Sequence, residues 1–108
     1  MTTFDQREKA FEAKFEHDQE LQFKATARKN KLLGLWAAGL MGKTGADAEA
    51  YSKDVVLADL EKPGDSDVIG KLVKDLADAG KPTDEHTIRK QAERLMVEAK
   101  AQMMKEAK

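Results

Sequence analysis

A chain of 108 residues, 41% hydrophobic and 36% charged, suffices for one domain with a modest core and excludes two. Its formal net charge of −1 supplies no field that would draw it to nucleic acid or anionic lipid. The absence of cysteine excludes disulfides, thiolate zinc sites and cysteine nucleophiles together, and suits a reducing compartment.

The turn signals Gly42 to Gly45, Lys62-Pro63-Gly64-Asp65 and Gly80-Lys81-Pro82-Thr83 divide the chain into four helical segments. Gly accepts left-handed dihedrals there, and Pro cannot donate the next helical hydrogen bond. The first segment is expected from about Phe4 to Met41. Phe4, Phe11, Phe15, Leu32, Leu33, Trp36 and Leu40 fall on one broad side at about 100° per residue. Between Glu16 and Lys31 that stripe thins to Leu21, Phe23 and Ala25, which leaves room for a break.

The opening MTTFDQREKAFEAKFEHDQE is charged throughout and lacks the apolar core of a secretory signal. The densest apolar run, Leu32 to Met41, is far shorter than the roughly 20 residues needed to cross a bilayer. A soluble cytoplasmic protein with no direct membrane insertion is the expectation.

The second segment starts after Thr44 or Asp47, where a Thr-x-x-Asp arrangement can cap a helix, and turns Tyr51, Val55 and Ala58 inward. Asp65 or Ser66 is the expected cap of the third, in which Val68, Ile69, Leu72, Val73 and Leu76 recur at helical spacing before Gly80. Thr83 or Asp84 opens the fourth, with Ile88, Ala92, Leu95, Met96, Ala99 and Met103 as its stripe. Short connections favour antiparallel neighbours. The pattern predicts an all-α four-helix bundle with a long N-terminal helix or a partly disordered N-terminal arm; Leu33, Trp36, Leu72, Leu76, Leu95 and Met96 are its expected core.

Two stretches imitate ligand sites. GLMGKTG, Gly39 to Gly45, carries the Gly-Lys-Thr of a phosphate loop, but Ala37 stands where the motif's first Gly belongs. The preceding residues also read as an amphipathic helix rather than a buried strand. A helix end with Gly42 or Gly45 left-handed is the better reading. Asp59, Glu61, Gly64, Asp65 and Asp67 match positions of a calcium loop. Pro63 and Gly70 replace two of its ligands, so an acidic interhelix turn is expected.

His17 and His86 have no partner at metal spacing and read as solvated helix residues. Arg28-Lys29-Asn30-Lys31 reads as a solvated helix face more readily than as a nucleic-acid site. Nothing in the chain assembles a catalytic constellation, and no cofactor or metal is expected.

The first twenty residues fit a plain bundle least well. Phe4, Phe11 and Phe15 form a narrow aromatic stripe. Glu8, Glu12, Glu16 and Glu20 follow at i+4, each like-charged pair costing roughly 0.2–0.5 kcal/mol in an isolated helix. Asp5–Lys9 and Glu20–Lys24 offset part of that. Two readings remain open: the Phe side chains fold back onto the core, or they anchor in a partner's groove when the helix binds.

The run FDQREKAFEAKFEHDQELQFKATARKNKLLGLWAA resembles the N-terminal third of the zeta inhibitor subunit of alphaproteobacterial ATP synthases. AYSKDVVLADLEKPGDSDVIGKLVKDL continues the pattern. The resemblance implies a four-helix bundle, residues 20–108, carrying an inhibitory arm, residues 1–19. The arm of that family enters an interface between the alpha and beta subunits of the synthase head, against the rotating gamma subunit, and blocks rotation in the hydrolytic direction.

Carried onto this chain, the partner-binding positions are Phe4, Asp5, Arg7, Glu8, Phe11, Glu12, Lys14 and Phe15. Glu16 departs from the family's pattern, where a small residue is expected. The implied partners are the alpha, beta and gamma subunits at the cytoplasmic face of the inner membrane, and the free chain is expected to be a monomer. A regulator that binds nucleotide weakly without hydrolysing it, through the Gly42–Lys43–Thr44 turn, is the alternative.

Overall fold

The computed structural model describes residues 3–62 and 64–106, with side chains placed at 6–62, 64 and 66–106. The elements are α1 (Thr3–His17), α2 (Gln19–Leu40), α3 (Gly45–Glu61), α4 (Asp65–Asp78) and α5 (Glu85–Glu106). No strand occurs among the described residues, so the chain is all-α. The count exceeds the expected four segments by one because the long first segment is cut at Asp18, inside the stretch where its apolar stripe thins. Asp18 is extended (φ −112°, ψ 101°). Its carboxylate accepts the backbone N–H groups of Glu20 (3.0 Å) and Leu21 (3.2 Å), satisfying donors that the first turn of α2 leaves without intrahelical partners.

GLMGKTG is a helix end. Gly42 takes φ +83°, and the Lys43 N–H returns to the Ala38 carbonyl at 2.9 Å, the closure a left-handed residue permits at a helix C-terminus. Gly80 repeats it with φ +78° and a 2.8 Å bond from the Lys81 N–H to the Leu76 carbonyl. Asp84 caps α5 as expected, accepting the Thr87 N–H at 2.7 Å. The other two caps differ. Thr44 precedes α3 without a side-chain bond; its carbonyl, not its hydroxyl, accepts the Asp47 N–H. Gly64, rather than Asp65 or Ser66, occupies the cap of α4. In the acidic interhelix turn, Asp59 accepts the Gly64 N–H at 3.3 Å, tying the end of α3 to the start of α4.

Four helices share one core. Leu33, Ala37 and Ala38 of α2 meet Tyr51 and Val55 of α3, Val68, Ile69, Leu72 and Leu76 of α4, and Ile88 and Leu95 of α5. Trp36 and Met96 stand only half-buried, against the expectation that both lie inside. Their large side chains cover the edge of a core whose centre along α2 is built from small residues. Gly34 explains why: a Cβ there would lie 2.7 Å from the Ser52 Cα, so α2 and α3 approach backbone to backbone. Bidentate hydrogen bonds from Arg28 to Glu106 (2.5 and 2.8 Å) join α2 to the last turn of α5.

The basic cluster does not form one solvated face. Lys29 and Asn30 are buried, Arg28 is half-buried and only Lys31 is exposed. Successive residues are turned by about 100°, so four in a row surround the helix rather than line one side. The Lys29 stem runs beside Leu33, Val68, Ile69 and Met96, the mode in which a long cationic side chain covers apolar surface.

Tyr51 ties α3 to α4 by donating its hydroxyl to Asp75 (2.8 Å), which also accepts from Lys71 (2.9 Å). Burial first, then the bond to Asp75, raises the Tyr51 phenol far above its ordinary value. Burial pushes the Asp75 carboxyl up, but hydrogen bonds from Lys71 and Tyr51 outweigh it, so Asp75 titrates below the usual carboxylate value. A carboxyl depressed only in the folded state stabilises fully above its unfolded pKa of about 3.9, and that contribution is lost as pH falls through the folded value. Thermal unfolding is therefore expected at falling temperature as pH drops below about 4, with Asp75→Asn showing a shallower decline. Identical slopes for the two proteins would remove Asp75 from the account.

Candidate functional site

The candidate binding residues all lie on α1, which sits outside the four-helix core. Arg7, Glu8, Glu12 and Lys14 are exposed, whereas Phe11 and Phe15 are half-buried. The side chains of Phe4 and Asp5 lie outside the described residues, so the aromatic stripe is visible at its two inner members. One helical turn apart, Phe11 and Phe15 stack with ring centroids 6.1 Å apart.

Among the described residues, α1 meets α5 and α2 through polar contacts. Lys100 of α5 places its ammonium 4.3 Å from the centre of the Phe15 ring and 3.8 Å from the Glu12 carboxylate. Gln22 donates from its amide to the carbonyls of Phe15 (2.9 Å) and Glu16 (3.3 Å), serving groups that the last turn of α1 leaves free. Lys14 places a cation in that last turn, where the helix dipole favours it. His86 is exposed near the start of α5.

These contacts are weak. An exposed cation–π contact contributes about 0.5–1 kcal/mol, and an exposed ion pair about 0.2–1 kcal/mol. The site is a helix set off from α2 by the extended Asp18.

Asp18, Gln22 and Lys100 escaped the sequence reading. The first had a signal, an Asp immediately before a renewed helical stretch. Gln22 and Lys100 had none, because their roles depend on where α1 lies relative to α2 and α5.

Fold and site together define an all-α protein with an aromatic helix set outside a four-helix core. The family described as ATPase inhibitor subunit zeta matches residues 1–102. The chain belongs to that family. A protein whose structure was determined by NMR in solution is 48% identical, with a TM-score of 0.68, over 80% of this chain and 98% of its own. No curated protein matches the chain. No helix among the described residues is long and apolar enough to cross a membrane.

Proposed function

We propose that the chain inhibits ATP hydrolysis by the F-type ATP synthase by inserting residues 1–19 into a catalytic interface of the alpha and beta subunits, against gamma, so that rotation in the hydrolytic direction is blocked. The observation that carries this reading is the position of α1: an aromatic helix belonging to an inhibitor family, outside the core and held by weak contacts. Phe4, Phe11 and Phe15 act as apolar anchors. Asp5, Arg7, Glu8, Glu12 and Lys14 make charge contacts at the rim of the groove, where they tune encounter more than affinity. Residues 20–108 act as a four-helix bundle too bulky to follow the arm through the interface. The free chain is a monomer, acts without a cofactor, and works at the cytoplasmic face of the membrane that holds the synthase.

Release from Lys100 and Gln22 frees both faces of α1 for the partner, and the capped start of α2 keeps the bundle folded while the arm moves. The test is ATP hydrolysis by a purified catalytic head titrated with the full chain and with a chain beginning at Glu20. Inhibition by the full chain and none by the shortened one is the expected result. Equal inhibition by both would transfer the activity to the bundle, and inhibition by neither would leave the family's function unshared by this chain.

A further inference from the structure

A second surface is lined by neither Lys100 nor Gln22. An open groove of about 1060 Å³ runs between α2, α3 and the C-terminal turns of α5. Leu35 and Val56 lie in it half-buried, while Phe23 and Leu57 stand 58% and 53% exposed at its edges. Side chains of that size gain about 1.5–3 kcal/mol each when fully buried, so a covered groove recovers apolar free energy that the isolated chain forgoes.

The charges around the groove are not balanced. Arg28 is neutralised by Glu106 and Lys24 by Glu20. Lys31 and Lys53 also line it, with Glu49 as the one lining carboxylate outside these pairs. An apolar channel with surplus positive charge at its rim complements an amphipathic helix whose polar face is acidic. Its dimensions and openness suit such a helix better than a small ligand, which needs enclosure on most sides.

The groove also has a fixed relation to the arm. Phe23 lies five residues past Asp18, about 8 Å along α2 at 1.5 Å per residue. A partner that takes in α1 as far as Asp18 is thus brought within about two helical turns of the near end of the groove.

We infer that this groove docks an acidic amphipathic segment on the outer surface of the inhibited enzyme, next to the point where the arm enters. This rests on the inhibitory reading of α1 and extends it: the arm stops the motor, and the groove holds and orients the bundle against the stator. Two-point attachment raises the effective concentration of the arm at its interface, because the second contact becomes intramolecular once the first has formed.

The experiment uses full-length chains and an immobilised catalytic head, with affinity and maximal inhibition measured separately at low and high salt. Lys31→Glu/Lys53→Glu and, independently, Leu57→Asp should each weaken binding at least tenfold. Both should still reach full inhibition at saturation, and the charge reversal should matter most at low salt. Phe11→Ala/Phe15→Ala reports on the arm alone: it should bind through the groove yet inhibit poorly.

Affinity within twofold of the native chain for both groove variants overturns the inference while leaving the arm's role intact. Loss of a dimer in sedimentation, in step with the weakened binding, would also overturn it, by giving the groove to a second copy of this chain. A native chain that fails to bind the head removes both readings. Lys31, Lys53 and Leu57 are exposed, and unchanged helicity and melting temperature serve as the folding control for all variants.

Discussion

Replacing Phe11 and Phe15 together by Ala is expected to raise the concentration needed for half-inhibition by two to three orders of magnitude. A buried aromatic anchor in an interface is worth roughly 2 kcal/mol or more when truncated, about thirtyfold each by the affinity relation. The two need not add, because the rings stack on one another and share a pocket if they bind as a pair. In the free chain the same substitution removes only half-buried surface and the contact with Lys100, and neither ring belongs to the shared core. Melting temperature should stay within a few degrees of the native value.

That separation of effects makes the test informative, since a large loss of potency without loss of fold can arise only at the partner. Ala at Arg7, Glu8 or Lys14 should act weakly by comparison, a few-fold and salt-dependent, because exposed charges contribute about 0.2–1 kcal/mol each. Unchanged potency in the double Phe variant would end the anchoring role.

How far the chain could be read in advance depended on the distance over which each feature is set. Helix ends at Gly42 and Gly80 and the cap at Asp84 are local, and the residues that make them are the residues that announce them. The stripes of α4 and α5 were equally plain, because Leu72, Leu76, Ile88 and Leu95 repeat at helical spacing and nothing competes for that face. α2 was harder. Its buried side is Leu33 with Ala25, Gly34, Ala37, Ala38, Lys29 and Asn30; apart from Leu33 these carry little hydrophobic signal, while its conspicuous Phe23 and Leu40 face outward.

Small residues are buried there because a neighbouring helix approaches closely, and only the packed structure shows the approach. The candidate site divides in the same way. The aromatic spacing of α1 is legible in the sequence, but its contacts to Lys100 and Gln22, and the groove between α2, α3 and α5, arise from tertiary geometry.

Gly34 is where that close approach is expected to be felt most strongly. In a helix interior, Gly→Ala ordinarily gains about 1 kcal/mol from propensity. At Gly34 the added methyl would meet the Ser52 Cα at 2.7 Å and Val55 Cγ2 at 3.2 Å. The first of these is backbone and cannot rotate away, so α3 must move as a whole, and overpacking of this kind costs about 1–3 kcal/mol.

The steric cost exceeds the propensity gain, and Gly34→Ala should lower the melting temperature. Gly34→Val, with two further methyl groups and a β-branch, should unfold lower still, by ten degrees or more at about 4–8 °C per kcal/mol for a chain of this size. Gly70 supplies the opposite case: it lies within α4 with nothing within 4 Å of its added Cβ, so Gly70→Ala should raise stability by up to about 1 kcal/mol. Opposite signs at two helical glycines would identify the α2–α3 contact, rather than helix propensity, as the constraint on Gly34. A stabilising Gly34→Ala would mean that α3 shifts freely. The packed helices would then be too compliant for the rigid stop that the proposed function assigns to them.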